Sequence, residues 1–222
     1  MRHCTALLFA ICSVCLTACA ATAPSASTPL AAFKTNPAQP NQKIYKVPSA
    51  DLSRYHAVKL DPLMFMQQKP DGKVVVLQAG VENELGNYFQ QRLRKALFEQ
   101  GVTVSDSAGD GVATLQAAVT GMDLSKPDMK LRDLLPVKVA INLTKDAFGK
   151  EPYLLNVSSM SRLIDSQSGA LLVSAINVRQ DKETITRDHA VTVSDIQPLI
   201  DDWCRVTASQ LAAHLGKRNL HG

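Results

Sequence analysis

Twice along this 222-residue chain the apolar residues switch to a 3.6-residue period, and the stretches between them alternate with a period of two. From about Gly80 to Gln100, Val81, Leu85, Tyr88 with Phe89, Leu93, and Ala96 with Leu97 fall on one stripe, and Gly101 supplies a C-terminal stop. From Ser194 to about Leu215, Ile196, Leu199 with Ile200, Trp203, Val206, Ala208 with Leu211, and Leu215 make a second stripe that Gly216 ends. Ser194 with Gln197 fits a capping box, and Pro198 belongs to the first turn. A helix with one apolar stripe must bury it against another layer, so both require a partner.

The alternating stretches supply that layer. Tyr55 to Leu60 reads as a strand that Pro62 either ends or bulges, and Val74 to Leu77 follows a Pro70-Asp71-Gly72 turn. Val102–Val104 is a short strand, and Gly109-Asp110-Gly111 makes a turn before the next. Ala113 to Val119 and Val137 to Leu143 alternate as half-buried strands, while 125–136 between them shows no period. Leu154–Ile164 and Ala170–Arg179 flank Asp165-Ser166-Gln167-Ser168-Gly169, a hairpin loop with Gly at its end. Gln180–Asp188 reads as a mobile polar stretch. The expected fold is α/β of the α+β kind: a two-layer sandwich whose mixed, mostly antiparallel sheet carries both helices on one face. The other face is solvated or meets a partner, with Val157, Leu171 and Val173 expected on it.

The N-terminus sets the address. Arg2 precedes an uncharged apolar run from Ala6 to Leu16, which is too short to span a bilayer core needing roughly 20 helical residues. It is the apolar part of a removable signal peptide. Leu16-Thr17-Ala18-Cys19 then resembles the lipobox of bacterial lipoproteins. That resemblance implies cleavage after Ala18, a diacylglyceryl group on the Cys19 thiol and acylation of the new amine by a fatty acid such as palmitate. Ala20, where Asp marks inner-membrane retention, implies the periplasmic face of the outer membrane. Cys4, Cys12 and Cys15 leave with the signal, so Cys12-x-x-Cys15 is neither a redox nor a zinc motif. Cys204 is then the one thiol left unmodified, and the domain is held without an internal disulfide.

Removing residues 1–18 leaves 204 residues and takes away one charge, Arg2, lowering the net +4 to +3. So mild and dispersed a charge does not argue for nucleic acid. Residues 19–44 are the lipidated cysteine and a tether rich in Ala, Pro, Ser, Thr, Asn and Gln, with too little apolar surface to fold. Residues 45–222 make a single domain.

Several phrases, VPSADLSRYHAVKLDP, ATLQAAVTGMD, LIDSQSGALL and DIQPLIDDWC, resemble a family of bacterial lipoproteins defined as a domain of unknown function, DUF 3313. The resemblance covers most of residues 45–215. It implies the same address and fold, and it transfers no site residues.

His56, His189, His214 and His221 lack metal-ligand spacing, so no metal or cofactor is expected. His56 is read as a partly buried strand residue. No Gly-x-Ser-x-Gly elbow is present. Asp201 and Asp202 are adjacent on a helix and point apart, a poor acid/base pair best read as solvated charges. Asp188-His189 has no obvious nucleophile, Trp203 and Cys204 read as core, and Gln91, Arg94 and Lys95 form a solvated basic face. The expectation is a non-enzymatic, lipid-anchored lipoprotein that binds other envelope proteins. The alternatives are a carrier or sensor of a small apolar ligand or cell-wall polymer, and an enzyme with an unrecognised site.

Overall fold

Period-two alternation becomes one large sheet, and the two 3.6-period stripes become the helices that cover it. The computed structural model describes residues 30–68, 74–77, 81–127, 152–186, 189 and 191–216. In chain order the elements are β1 (Lys34–Asn36), β2 (Gln39–Lys46), β3 (Ala57–Leu60), β4 (Met64–Gln68), β5 (Val74–Leu77), α1 (Val81–Glu99), β6 (Thr103–Ser105), β7 (Val112–Ser125), β8 (Tyr153–Asp165), β9 (Leu171–Ile185) and α2 (Val193–His214). Single 3-10 turns sit at Leu30–Ala32 and Leu52–Arg54.

The nine described strands run in the order β1-β2-β9-β8-β7-β3-β6, with β4 on β7 and β5 on β4. β7, β8 and β9 form an antiparallel meander, and β3 and β4 lie parallel to β7 along its other edge. Ala57–Leu60 pairs with Val112–Leu115, and Met64 and Phe65 resume the ladder opposite Ala118 and Val119. Asp61-Pro62-Leu63 fills the gap, because Pro62 has no N–H for the ladder while Asp61 N still donates to Leu115 O. Pro62 thus interrupts the strand without ending its path. The sheet is mixed and mostly antiparallel, with both helices against it.

Ala113, Leu115, Ala117 and Val119 of β7, with Leu155, Val157 and Leu163 of β8, face Leu85, Phe89, Leu93 and Leu97 of α1 and Ile196, Leu199, Ile200 and Trp203 of α2 in one buried cluster. The register passes from Val119↔Ser159 to Gly121↔Ser158, so Thr120 is an extra residue. Past it, Met122 and Leu124 pack against the core in place of the odd positions, because one inserted residue reverses which side faces in.

Several expectations change. The proposed tether reaches only partway: residues 34–36 and 39–46 are strands, with Gln42–Lys46 paired to Asn177–Val173 of β9. Composition hides this because polar strands are held by backbone bonds to their neighbours, β2 to both β1 and β9. Gln42 is buried yet bonded by its amide to Gln210 of α2. β9 continues to Ile185, so the stretch from Gln180 is strand through that residue. Val157 lies in the core and Val173 packs against it, since the bulge at Leu172 sets Val173 opposite Leu163. Leu171 pairs with Ile164 instead. The N-cap of α2 is Thr192 with Asp195 three residues on, two residues before the Ser194–Gln197 pair, and Pro198 lies inside the helix. Thr192 N and Oγ1 both donate to Asp195 Oδ2, at 2.6 and 2.7 Å, and His189 Nε2 lies 2.9 Å from it. Those bonds, Thr192 N first, hold the Asp195 carboxyl down at about 2. The expected strand Val137–Leu143 and the Pro70-Asp71-Gly72 turn lie outside the described residues.

Candidate functional site

Asp201 and Asp202 join three ion pairs, with Arg92, Arg179 and Arg205, and each looks to a different element. The side chains of adjacent residues on a helix diverge by about 100°. Asp201 therefore meets α1: Tyr88 Oη donates to Oδ1 at 2.8 Å, and Arg92 bonds both oxygens, Nε to Oδ1 at 2.6 Å and Nη2 to Oδ2 at 2.9 Å. Burial and the bond to Asp201 push the Tyr88 hydroxyl up, and the same carboxylate raises Arg92. With a donor on each of its oxygens, Asp201 fastens the two helices together.

Asp202 meets the sheet instead. Arg205 Nη2, three residues along, donates to Oδ1, and Nε of Arg179 from β9 lies 3.4 Å from Oδ2. The Arg179 side chain is only 10% exposed, and its Cζ sits 5.7 Å above the Trp203 ring. Desolvation lowers the Arg179 guanidinium to about 10 against the opposing pull of Asp202, which leaves it charged at neutral pH. Its Nε and Nη1 are buried and make no hydrogen bond. Trp203 packs on Phe89 with ring centroids 4.8 Å apart, and the Cys204 thiol donates to Phe89 O at 3.8 Å. Burial drives that thiol up to about 12, so Cys204 is an unreactive core group.

The two aspartates keep part of the exposure expected of them, 36% and 48%, but both are ion-paired, to Arg92, Arg179 and Arg205; Tyr88, Arg92 and Arg179 are partners that sequence reasoning passed over. Tyr88 and Asp201 are 113 positions apart, so no local pattern could have joined them. A contrast follows between the two acids. Asp201→Asn weakens contacts that are more than a third exposed and so is expected to cost only about 1 kcal/mol. Asp202→Asn leaves a buried guanidinium without its countercharge and is expected to cost more, about 1–3 kcal/mol, even though Asp202 is the more exposed acid. Urea unfolding of both variants checks the order; equal costs would show that Arg179 does not depend on Asp202.

Elsewhere the polar groups are spent on the frame. Asp165 accepts from Ser168 N, Ser168 Oγ, Tyr55 Oη and Gln167 N, and these bonds, Ser168 first, lower it to about 2. His56 is half-buried just before β3, His214 is exposed at the end of α2, and His221 lies outside the described residues. Among the described residues no three His, Cys, Asp or Glu side chains are grouped to hold a metal. No described helix is long and apolar enough to cross a membrane. Leu16, Thr17, Ala18 and Cys19 lie outside the described residues.

The model of a family described as "Protein of unknown function (DUF3313)" matches residues 27–207, which include β1 to β9 and most of α2. The chain belongs to the DUF3313 family. Its match begins inside the stretch that composition assigns to a tether, in keeping with the strands found there. The chain is 22% identical over 156 residues to the uncharacterized lipoprotein YdcL of Escherichia coli strain K12, covering 70% of this chain and 68% of that protein. Among solved structures it is similar to the PelC dodecamer from Paraburkholderia phytofirmans, with a TM-score of 0.37 at 12% identity, over 80% of this chain and 99% of that one. A minor lipoprotein from Acinetobacter baumannii gives a TM-score of 0.35 at 13% identity, over 72% and 94%.

Proposed function

We propose that this DUF3313 protein is a non-enzymatic lipoprotein of the cell envelope, held by lipid on Cys19 at the periplasmic face of the outer membrane, where its folded domain binds other envelope proteins. The observation that carries the reading is the Leu16-Thr17-Ala18-Cys19 box at the end of a short apolar run, placed just ahead of a folded domain. The likeness to a protein known as a lipoprotein supports it. The bonding of the carboxylates supports the non-enzymatic part: Asp201 and Asp165 each accept from structural donors on both oxygens, and the Cys204 thiol is buried. Ala20 favours the outer membrane.

The test is Cys19→Ser in the full chain. Metabolic labelling with a palmitate analogue is expected to mark the wild type and to fall to background in the variant, which leaves the membrane fraction or accumulates uncleaved. Labelling that persists in Cys19→Ser overturns the anchor. Crosslinking in living cells tests the binding role: an envelope protein captured by the wild type and lost in Cys19→Ser supports it, and an empty capture removes it.

A further inference from the structure

We infer that the β1–β2 hairpin is a membrane-contact surface, laying Lys34, Lys43 and Lys46 on the anionic phospholipid headgroups of the bilayer that holds the Cys19 lipid. The inference rests on lipidation of Cys19. Three observations carry it.

The first is reach. Lys34, where the hairpin begins, is fifteen positions after Cys19, and a fully extended chain spans at most about 3.6 Å per residue, so the start of the hairpin cannot stand more than about 54 Å from its anchor. Because residues 34–46 belong to the sheet, the connection is shorter than composition implies. The second is charge. Residues 30–47 contain three lysines and no acid, although the whole chain is nearly balanced. Lys34 and Lys46 are exposed, Lys43 is half-buried, and none of the three joins an ion pair with the described residues. The basic residues on the outer face of α1 differ in this respect, since Arg94 is paired with Asp106 and Lys95 with Glu99.

The third is geometry. Among the described residues β1 is the terminal strand of the sheet, bonded on one side only, to β2. In the register Lys34 pairs with Ile44 and Lys46 with Val173, on the helix side, while Lys43 and Tyr45 point to the opposite side. A flat anionic surface meets all three lysines only along the free edge of β1, where headgroups also cover the unpaired backbone groups of an edge strand. Phe33 packs on Tyr45 at 6.1 Å between ring centroids, which places a tyrosine, an aromatic of the kind favoured at bilayer interfaces, beside the lysines. Each lysine near an anionic leaflet strengthens contact about fivefold, and three together about a hundredfold.

The test uses the mature lipidated protein, purified from membranes and placed in nanodiscs of phosphatidylethanolamine with about a quarter phosphatidylglycerol, or of phosphatidylcholine alone. Acylation of Lys34, Lys43 and Lys46 by an amine reagent is read by mass spectrometry against Lys95 on α1. All three are expected to react at least about threefold more slowly in the anionic discs, and to recover in about 0.5 M NaCl, where screening shortens to a few ångström. Charge reversal, Lys34→Glu with Lys46→Glu, is expected to restore fast acylation of Lys43. Equal rates in both discs overturn the inference, as does slowing shared by Lys95. Slowing that survives salt or occurs equally in phosphatidylcholine also overturns it, pointing to a contact between copies. Protein that fails to enter discs at all removes the Cys19 anchor, whereas protein that enters and stays unprotected removes the hairpin contact alone.

Discussion

Trp203→Ala is expected to destabilise the domain by about 3–5 kcal/mol, the range for deleting a large aromatic from a packed core. Trp203 is 2% exposed and is the only tryptophan in the chain. It packs against Phe89 of α1 at 4.8 Å and lies beneath the Arg179 guanidinium. The substitution therefore opens a cavity between the two helices and removes the face on which a buried cation rests. For a chain of this size the melting temperature is expected to fall on the order of 10 °C. Phe98→Ala is the matched control: Phe98 is 82% exposed on the same helix as Phe89, and its loss is expected to change stability by no more than about 0.5 kcal/mol. Urea unfolding followed by circular dichroism measures both, since Trp203 fluorescence is lost with the residue. A cost under about 1 kcal/mol for Trp203→Ala would mean that the helix layer does not depend on this contact.

Gly111→Ala is expected to cost about 2–4 kcal/mol, from two separable causes. Gly111 has φ +66°, in the left-handed region, so any side chain carries backbone strain of about 1–2 kcal/mol there. A Cβ at that position would also stand 2.2 Å from Cε1 and 2.4 Å from Nδ1 of His56. The neighbour is held in place, because His56 N and Ala57 N both donate to Gly111 O at the start of β3. Adding Gly111→Ala to a His56→Ala background is expected to remove the collision and leave only the backbone part. If Gly111→Ala costs the same in both backgrounds, the imidazole ring is not what the glycine accommodates. Most of the loss is expected at the β3–β7 parallel pair, which begins at Ala57 and Val112.

What could be read without the fold was what is carried by neighbours in sequence. The stripe Leu85, Phe89, Leu93, Leu97 and the stripe Ile196, Leu199, Ile200, Trp203 are both buried, because helical period and burial follow from residues three and four apart. The Asp165–Gly169 hairpin was legible for the same reason: Asp165 accepts from Gln167 and Ser168, and Gly169 takes the positive φ at the loop's end. The candidate charged site was not legible. Asp201 and Asp202 could be placed side by side on a helix, but their partners Tyr88, Arg92 and Arg179 come from other elements.

The amino-acid order by itself determined the two helices, the alternating strands among the described residues and the Asp165–Gly169 hairpin, since each depends on spacing along a short stretch. Only the tertiary structure decided that Gln39–Lys46 is a strand, that β3 and β4 share the β7 edge in parallel, and which way each aspartate of α2 looks. Those outcomes rest on backbone pairing and charge partnership between distant segments. A polar strand is stabilised by the edge it joins, and a buried arginine by the acid and aromatic ring that a different element brings to it.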